Sequence, residues 1–127
     1  MAAISKTPRI VTVINVFFID PGCQRWLVDA LLDVSEKIMH KFPGFISLSV
    51  HRSTDGRRVV SYSQWRARED FERMTQSFEA RAFMESLSGI ADSDVHVYEV
   101  VGTFEANLQP GADHANWIYA DQHERRN

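Results

Sequence analysis

An Asp-Gly turn between two strand-like runs constrains the fold of this chain more than any other feature. Asp55 and Gly56 end a turn at residues 53–56, which lies between residues 45–52 and 57–66. Both runs are rich in residues that favour strands, and Asp-Gly tolerates the positive φ angles of a tight hairpin turn. We therefore predict a β-hairpin whose strands occupy residues 45–52 and 57–66.

The second strand of this hairpin has an unusual distribution of side chains. Alternate residues of a strand point to opposite sides of the sheet. One side carries Val59, Ser61, Ser63 and Trp65, and the other carries Val60, Tyr62, Gln64 and Arg66. Small hydroxyl groups beside a large indole predict a strand that leaves room for a bound molecule.

Residues 10–19 form a run of β-branched and aromatic residues, which predicts a central strand covered on both faces. Asn15 is the one strongly polar side chain in this run. Burying an amide without hydrogen-bond partners costs about 1–3 kcal/mol, and asparagine is depleted in strands. We therefore expect Asn15 to have either a specific partner or a function.

Two helical regions and a last strand complete the pattern. Asp20 and Pro21 are the residue types of a helix start, and residues 42–44, Phe-Pro-Gly, end that helix. A second helical region follows the hairpin, and Ser77 within it is an internal N-cap that predicts two short helices. A final strand is predicted at residues 94–105.

The resulting order β-α-β-β-α-β predicts an α+β ferredoxin-like fold, with a four-stranded antiparallel sheet and helices on one face. Its first and third strands are neighbours, so Asn15 should lie beside the strand that carries Ser61 and Trp65. The register of this pair decides whether they share a face, and the sequence leaves it open. Both faces of the first strand are apolar, so we expect a second copy to cover the open side, giving a homodimeric α/β barrel.

The chain length of 127 residues fits one domain. We predict a flexible N-terminus at residues 1–8, a folded domain at residues 9–105 and a polar C-terminal tail at residues 106–127. Within this tail, residues 117–119 (Trp-Ile-Tyr) either dock on the dimer partner or belong to a mobile end.

Composition argues against several classes of function. The net charge of −3 gives no general attraction to nucleic acid or to an anionic membrane surface. No segment has the roughly 20 apolar residues of a membrane span, and the N-terminus lacks the apolar run of a signal peptide. Cys23 is the single cysteine, which rules out an internal disulfide and a multi-cysteine metal site and is compatible with the cytoplasmic location that we expect.

Three segments and one single residue together resemble the antibiotic biosynthesis monooxygenase (ABM) family. They are residues 13–17 (VINVF), 42–45 (FPGF) and 51–65 (HRSTDGRRVVSYSQW), together with Phe71. The likeness covers residues 9–105, and the ordered set carries it rather than any single motif. The resemblance implies a dimeric α+β barrel, in a family that includes cofactor-independent oxygenases of aromatic polyketides, heme-degrading enzymes and quorum-signal or quinol-handling proteins.

The resemblance also implies roles for individual residues. Asn15 matches the active-site asparagine on the family's first strand, and Trp65 matches its tryptophan at the end of the third strand. Ser61 stands where quinone-forming members usually have a second asparagine, and its hydroxyl can still donate a hydrogen bond over a shorter reach. The heme-degrading members have an iron-binding histidine on the second helix, where residues 74–76 of this chain have none, so we expect neither heme nor another metal.

The expected function is that of a cofactor-independent monooxygenase that oxidises a small aromatic or polycyclic phenol or quinol, of polyketide type, with O₂ as co-substrate. The deprotonated substrate supplies electrons, while the protein positions the ring, stabilises the oxyanion and excludes water. Asn15 would donate its amide N–H to the oxyanion, and Trp65 would stack on the ring or donate its indole N–H to a peroxide. Ser61 and Ser63 would add secondary hydrogen bonds.

Three aromatic side chains are expected to bind the substrate or to fill the same hollow: Phe17, Phe71 and Phe78. Other interpretations stay open for the two main site residues, because Asn15 can satisfy a backbone group at a bulge and Trp65 can pack in the core or at the dimer contact. Two other functions also stay open. One is a related barrel enzyme that isomerises or cyclises a small metabolite without O₂, and the other is a non-catalytic dimer that binds a hydrophobic ligand.

Overall fold

The computed structural model describes residues 10–107, which contain four strands and three α-helices. The strands are β1 (Val11–Ile19), β2 (Phe45–Arg52), β3 (Arg58–Trp65) and β4 (Ala91–Glu99). The helices are α1 (Gln24–Ile38), α2 (Arg68–Thr75) and α3 (Phe78–Ser86). The predicted N-terminal segment at residues 1–8 and nearly all of the predicted tail at residues 106–127 lie outside the described residues.

The four strands form one antiparallel sheet in the order β2-β3-β1-β4. Together with the order of the helices along the chain, this arrangement confirms the predicted ferredoxin-like α+β fold. β1 and β3 occupy the centre because each pairs with a strand on both sides, while β2 and β4 form the edges. The first and third strands are therefore neighbours, as predicted.

The register between β1 and β3 decides which side chains share a face of the sheet. Asn15 is paired with Ser61, and Val11 is paired with Trp65. Because side chains alternate between the two sides of a sheet, Asn15, Ser61 and Trp65 all lie on one face. On this face Phe17 packs against leucines of α1, so it is the face that the helices cover.

Two clusters of buried side chains hold the helices onto this face. The larger cluster includes Phe17 and Leu27, and the smaller consists of Val13, Met39 and Trp65. Each fully buried side chain of this size stabilises the fold by about 1.5–3 kcal/mol. Asn15 follows Val13 and precedes Phe17 on the same side of β1, so the core places its amide between the two clusters.

The helix boundaries follow the predicted signals. Asp20 is the N-cap of a 3-10 turn (Pro21–Cys23) that leads into α1, although its side chain accepts no cap hydrogen bond. Ser77 separates α2 from α3, and its Oγ accepts the backbone N–H of Ala80 at 3.1 Å, which confirms the predicted internal N-cap. Within residues 10–107, none of the helices has the length and mean hydropathy needed to cross a membrane.

The turn of the β2–β3 hairpin depends on Asp55 and Gly56, as predicted. Gly56 has a φ of +82°, a conformation that disfavours any residue with a Cβ. Asp55 Oδ1 accepts hydrogen bonds from the Ser53 hydroxyl at 2.7 Å and from the backbone N–H of Arg57 at 3.0 Å. These hydrogen bonds, the one from Ser53 first, lower the pKa of Asp55 below its ordinary value of 3.8.

The last strand differs from its prediction. It spans Ala91–Glu99 rather than residues 94–105, because its ladder with β1 ends where Glu99 pairs with Val11, the first residue of β1. Beyond this point the chain has left the sheet, and the apolar residues Val101 and Phe104 are 96% and 101% exposed. The apolar, strand-like sequence pattern therefore continues beyond Glu99, the last residue of β4 that is paired with β1.

Candidate active site

A cavity of about 420 Å³ lies between the helix-covered face of the sheet and the three helices. This volume is within the range of about 300–1,000 Å³ that small-molecule sites occupy. Most of its described wall is apolar, and the polar residues in that wall are Asn15, Ser35, Ser61, Ser63, Thr75 and Arg81. None of the described lining residues is a histidine, and within residues 10–107 no three His, Cys, Asp or Glu side chains are grouped so as to hold a metal ion.

Asn15 brings an amide into this wall from the centre of the sheet. β1 places it between Ser61 on β3 and Val95 on β4, and all three residues line the cavity. The pairing of β1 is regular through Asn15, so there is no bulge at which its side chain satisfies the backbone. Its Oδ1 atom is buried and accepts no hydrogen bond from any described residue. Leaving a buried acceptor unpaired costs about 1–3 kcal/mol.

Two serines of β3 line the cavity beside Asn15. Ser61 is half-buried and is paired directly with Asn15 across the two strands. Ser63 is 6% exposed, and its Oγ accepts the indole N–H of Trp65 at 3.1 Å. A serine hydroxyl has one proton and two lone pairs, so Ser63 can still donate a hydrogen bond into the cavity.

Trp65 lies on the same face of the sheet but is absent from the described lining of the cavity. Its side chain is 0% exposed, and its ring makes edge contacts with Phe45 and Phe71 at centroid distances of 5.4 and 5.9 Å. Its Nε1–H is donated to Ser63. The structure therefore brings the asparagine and the two serines together at the cavity and places the indole behind Ser63.

The three predicted aromatic residues separate into two groups. Phe17, which is 1% exposed, and Phe71 line the cavity without filling it. Phe78 is 82% exposed and does not line the cavity, which corrects the prediction for this residue. The reason is the start of α3: Phe78 is the first residue after the Ser77 N-cap, and Phe83, further along the helix, is the aromatic residue of α3 that reaches the cavity.

Arg81 is a residue of the site that sequence reasoning missed. It is the only charged residue in the described lining, and its guanidinium makes no ion pair or hydrogen bond with a described residue. The missed signal is helical spacing, because Arg81 precedes Met84 by three positions and such residues share one side of a helix. Met84 also lines the cavity.

The arrangement suits the binding of a flat, apolar molecule that carries an oxyanion. The amide of Asn15 and the hydroxyls of Ser61 and Ser63 can stabilise negative charge, and apolar walls lower the local dielectric constant and strengthen that interaction. Arg81 adds a positive charge from α3. No Asp, Glu, Lys or His is present in the described lining, and the polar groups that are present can position a molecule and stabilise charge.

Most of this domain matches the model of one protein family. Residues 10–86 match the model of the family described as antibiotic biosynthesis monooxygenase. The tetracenomycin-F1 monooxygenase of Streptomyces glaucescens is 36% identical over 112 residues, which cover 88% of this chain and 100% of that protein.

Solved structures with the same fold include two oxygenases from Streptomyces. The monooxygenase from the gene ActVA-Orf6 of Streptomyces coelicolor, in complex with the ligand nanaomycin D, superimposes with a TM-score of 0.71 at 22% identity, over 82% of this chain and 98% of that one. SnoaB, a cofactor-independent oxygenase from Streptomyces nogalater, superimposes with a TM-score of 0.64 at 17% identity, over 75% of this chain and 96% of that one. At these identities the likeness shows a common fold.

Proposed function

The chain belongs to the antibiotic biosynthesis monooxygenase family, and from this premise we propose that it is a cofactor-independent monooxygenase of a small aromatic or polycyclic phenol or quinol. Support comes from the 36% identical relative, which is a tetracenomycin-F1 monooxygenase. Further support comes from the fold shared with SnoaB, a cofactor-independent oxygenase. O₂ is the second substrate in this proposal.

The amide that Asn15 contributes to the cavity wall is the observation that carries this proposal. Asn15 lines a mostly apolar cavity large enough for a ligand, and its buried Oδ1 has no hydrogen-bond partner among the described residues. An amide also offers two N–H donors, so in this proposal it donates a hydrogen bond to a phenolic oxygen and a stronger one to the phenolate. A ligand with a phenolic group suits such a donor in an apolar wall.

The substrate itself can supply the electrons for the reaction. A phenolate transfers one electron to O₂, and the resulting phenoxyl radical and superoxide combine to form a C–O bond at a ring carbon. Protonation gives a hydroperoxide. Loss of the hydrogen on that carbon as a proton, with cleavage of the O–O bond, then yields a quinone and water. One atom of O₂ enters the product and the other leaves as water, so a phenol and O₂ give a quinone and H₂O.

Asn15 and Ser61 are the residues that we propose to stabilise the oxyanion. They are paired across β1 and β3, so they meet the substrate from neighbouring strands. Removing one donor of an oxyanion hole typically lowers kcat by about 10²–10³. The serine hydroxyl has a shorter reach than the amide, so we assign the larger share of the effect to Asn15.

Arg81 supports a substrate that carries negative charge. Arg81 is an exposed residue at the cavity wall, and its guanidinium has no partner among the described residues. A positive charge within about 4–6 Å of an acidic group lowers its pKa by about 1–3 units. In this proposal Arg81 raises the fraction of phenolate in the site, and no general base is needed for an acidic phenol.

We propose in addition that two copies join through the face of the sheet opposite the helices. This face carries Phe18, Tyr62 and Tyr98, which are 40%, 37% and 45% exposed. A second copy would bury this apolar surface. Sedimentation should then give about twice the mass of one chain, and a monomer at micromolar concentration would contradict the dimer without affecting the assignment of the cavity.

The test of function is O₂ uptake by the purified protein with anthrone and naphthol-type substrates. We expect uptake that falls by about 10²–10³ in Asn15→Ala and is unchanged in Asn107→Ala, which alters an exposed asparagine outside the strands. Tight binding without turnover would instead identify a ligand-binding protein, and conversion of the ligand without O₂ uptake would identify an isomerase or cyclase. A Soret band on titration with hemin would contradict the cofactor-independent reaction.

A further inference from the structure

We propose that Trp65 is a positioning residue: its indole N–H holds the Ser63 hydroxyl as a hydrogen-bond donor directed into the cavity, and its ring does not touch the substrate. This inference rests on the proposed function and refines it. It implies a substrate with at least one oxygen atom beyond the oxyanion that Asn15 stabilises, because Ser63 needs an acceptor of its own.

The packing of Trp65 separates its ring from a bound molecule. The side chain is 0% exposed and is absent from the described cavity lining. The edges of Phe45 and Phe71 meet it at interplanar angles of 69° and 65°, with centroid distances of 5.4 and 5.9 Å. These contacts fix the ring in the smaller core cluster, so stacking on a ligand would require the cluster to open.

The polarity of the hydrogen bond determines what Ser63 can do. An indole Nε1–H is a donor only, so in the 3.1 Å contact Ser63 Oγ must be the acceptor. The serine proton therefore points away from the indole, and no described residue accepts it. Ser63 is 6% exposed and lines the cavity, so a molecule bound there can accept its proton.

The register places this donor at a defined distance from the oxyanion site. Ser61 is paired with Asn15, and Ser63 lies two residues further along the same side of β3, opposite Val13. Two residues of a strand span about 7 Å. Ser63 therefore contacts a second part of the same flat molecule, such as another hydroxyl or carbonyl oxygen on a fused ring.

The experiment is a double-mutant cycle measured with two substrates. Trp65→Phe keeps an aromatic ring and removes the N–H, Ser63→Ala removes the hydroxyl, and the third variant combines both changes. Trp26→Phe makes the same substitution at a tryptophan that is 47% exposed and serves as the control. The substrates are anthrone, which has one oxygen atom, and a dihydroxyanthrone, whose phenolic groups supply additional acceptors.

With the dihydroxyanthrone, each single variant should lower kcat/KM by about 3- to 10-fold, the value of one hydrogen bond. The double variant should be no worse than Ser63→Ala alone, because Trp65 acts only through Ser63. With anthrone both single variants should differ little from the wild type. A general structural role of Trp65 would lower turnover of both substrates equally, so the difference between substrates isolates the positioning effect.

Losses that multiply in the double variant would show that Trp65 contacts the substrate directly and would overturn the inference. So would a Trp65→Phe variant that is unaffected while Ser63→Ala is impaired. Affinity for anthrone and for the dihydroxyanthrone, measured without O₂, provides the same cycle without turnover. Selective weakening of the dihydroxy compound supports the inference even if O₂ uptake, and with it the proposed function, fails, whereas a protein that binds neither compound contradicts both.

Discussion

Replacing Asn15 with leucine should stabilise the protein and remove most of its activity in one substitution. Leucine has nearly the shape of asparagine, and its two terminal methyl groups take the places of Oδ1 and Nδ2. The cross-strand neighbour Val95 is apolar, as are Val13 and Phe17 on the same side of β1. The substitution therefore exchanges an unpaired polar group for one that suits its surroundings.

The size of the stability change follows from the buried oxygen. Asn15 Oδ1 has no hydrogen-bond partner among the described residues, and an unpaired buried acceptor costs about 1–3 kcal/mol. We expect the free energy of unfolding to rise by about 1–2 kcal/mol, in the lower part of that range, because Asn15 as a whole is only half-buried. For a domain of this size the Tm should rise by about 4–8 °C for each kcal/mol.

The catalytic change should have the opposite sign. Loss of the oxyanion donor should lower kcat by about 10²–10³, which corresponds to about 2.7–4 kcal/mol of transition-state stabilisation. The KM should change less than kcat, because the apolar walls that hold the aromatic rings are unaltered. This single substitution should then raise stability while it lowers activity.

Thermal unfolding and O₂ uptake should be measured on the same preparations of the wild type, Asn15→Leu and the control Asn107→Leu. The control should change neither quantity, since Asn107 is exposed. A lower Tm for Asn15→Leu would refute the reasoning, because it would mean that the amide is satisfied within the fold. Full activity in a stabilised variant would refute the catalytic role alone.

Three further predictions concern residues elsewhere in the domain. Thr12 is 3% exposed and its Oγ1 has no partner among the described residues, so Thr12→Val should raise the free energy of unfolding by about 1 kcal/mol in urea titrations; destabilisation would reveal a hydroxyl partner. Arg81→Gln should raise the KM for an acidic phenol about 2- to 5-fold, the value of an exposed ion pair, whereas Arg25→Gln, which removes the same charge from an exposed site on α1 outside the described cavity lining, should not; equal effects would point to overall charge. Asp55 has a lowered pKa, so its ionised form stabilises the fold above its ordinary value of 3.8 and this contribution disappears as the pH falls through the lower, folded-state pKa. Asp55→Ala should therefore be less stable than the wild type at pH 7 by chemical denaturation, and the difference should shrink in acid; a difference that is independent of pH would contradict the ionic contribution.

The architecture was predictable where a local signal has a local cause. Asp55 and Gly56 specify the hairpin turn because the second residue must adopt a positive φ, which is +82° in the structure. Ser77 ends one helix and starts the next because its hydroxyl accepts a hydrogen bond from the first turn of α3. The order of strands and helices then leaves few topologies other than the ferredoxin-like fold that is observed.

The site was predictable only in part, because its geometry depends on pairing and packing between distant segments. Both faces of β1 are apolar, so hydrophobic pattern alone could not decide that Asn15 pairs with Ser61. The position of Trp65 depends on Phe45 and Phe71, which approach it from other elements. These contacts make the indole a part of the core, whereas alternation along β3 gives only the side on which it lies.

The end of β4 and the role of α3 were missed for similar reasons. β4 stops at Glu99, which pairs with Val11, the first residue of β1, so this limit is set by a strand some ninety residues earlier in the chain. Phe78 is turned to solvent because the break at Ser77 resets the phase of the helix that follows. Periodicity detects an apolar stripe, but the direction of that stripe depends on where the helix starts.

The break at Ser77 also makes the two opposite walls of the cavity structurally different. Asn15 and Ser61, which we propose to act on the substrate, lie on the two central strands β1 and β3. They can separate only if the register of these strands changes. The opposite wall is made from α1 and from the two short helices on either side of the break, with Thr75 at the end of α2 and Phe83 in α3. Substitutions in the helical wall should change the shape of the cavity for a different ring system while the strands β1 and β3 keep their register. The range of substrates could then change without a change in the proposed reaction.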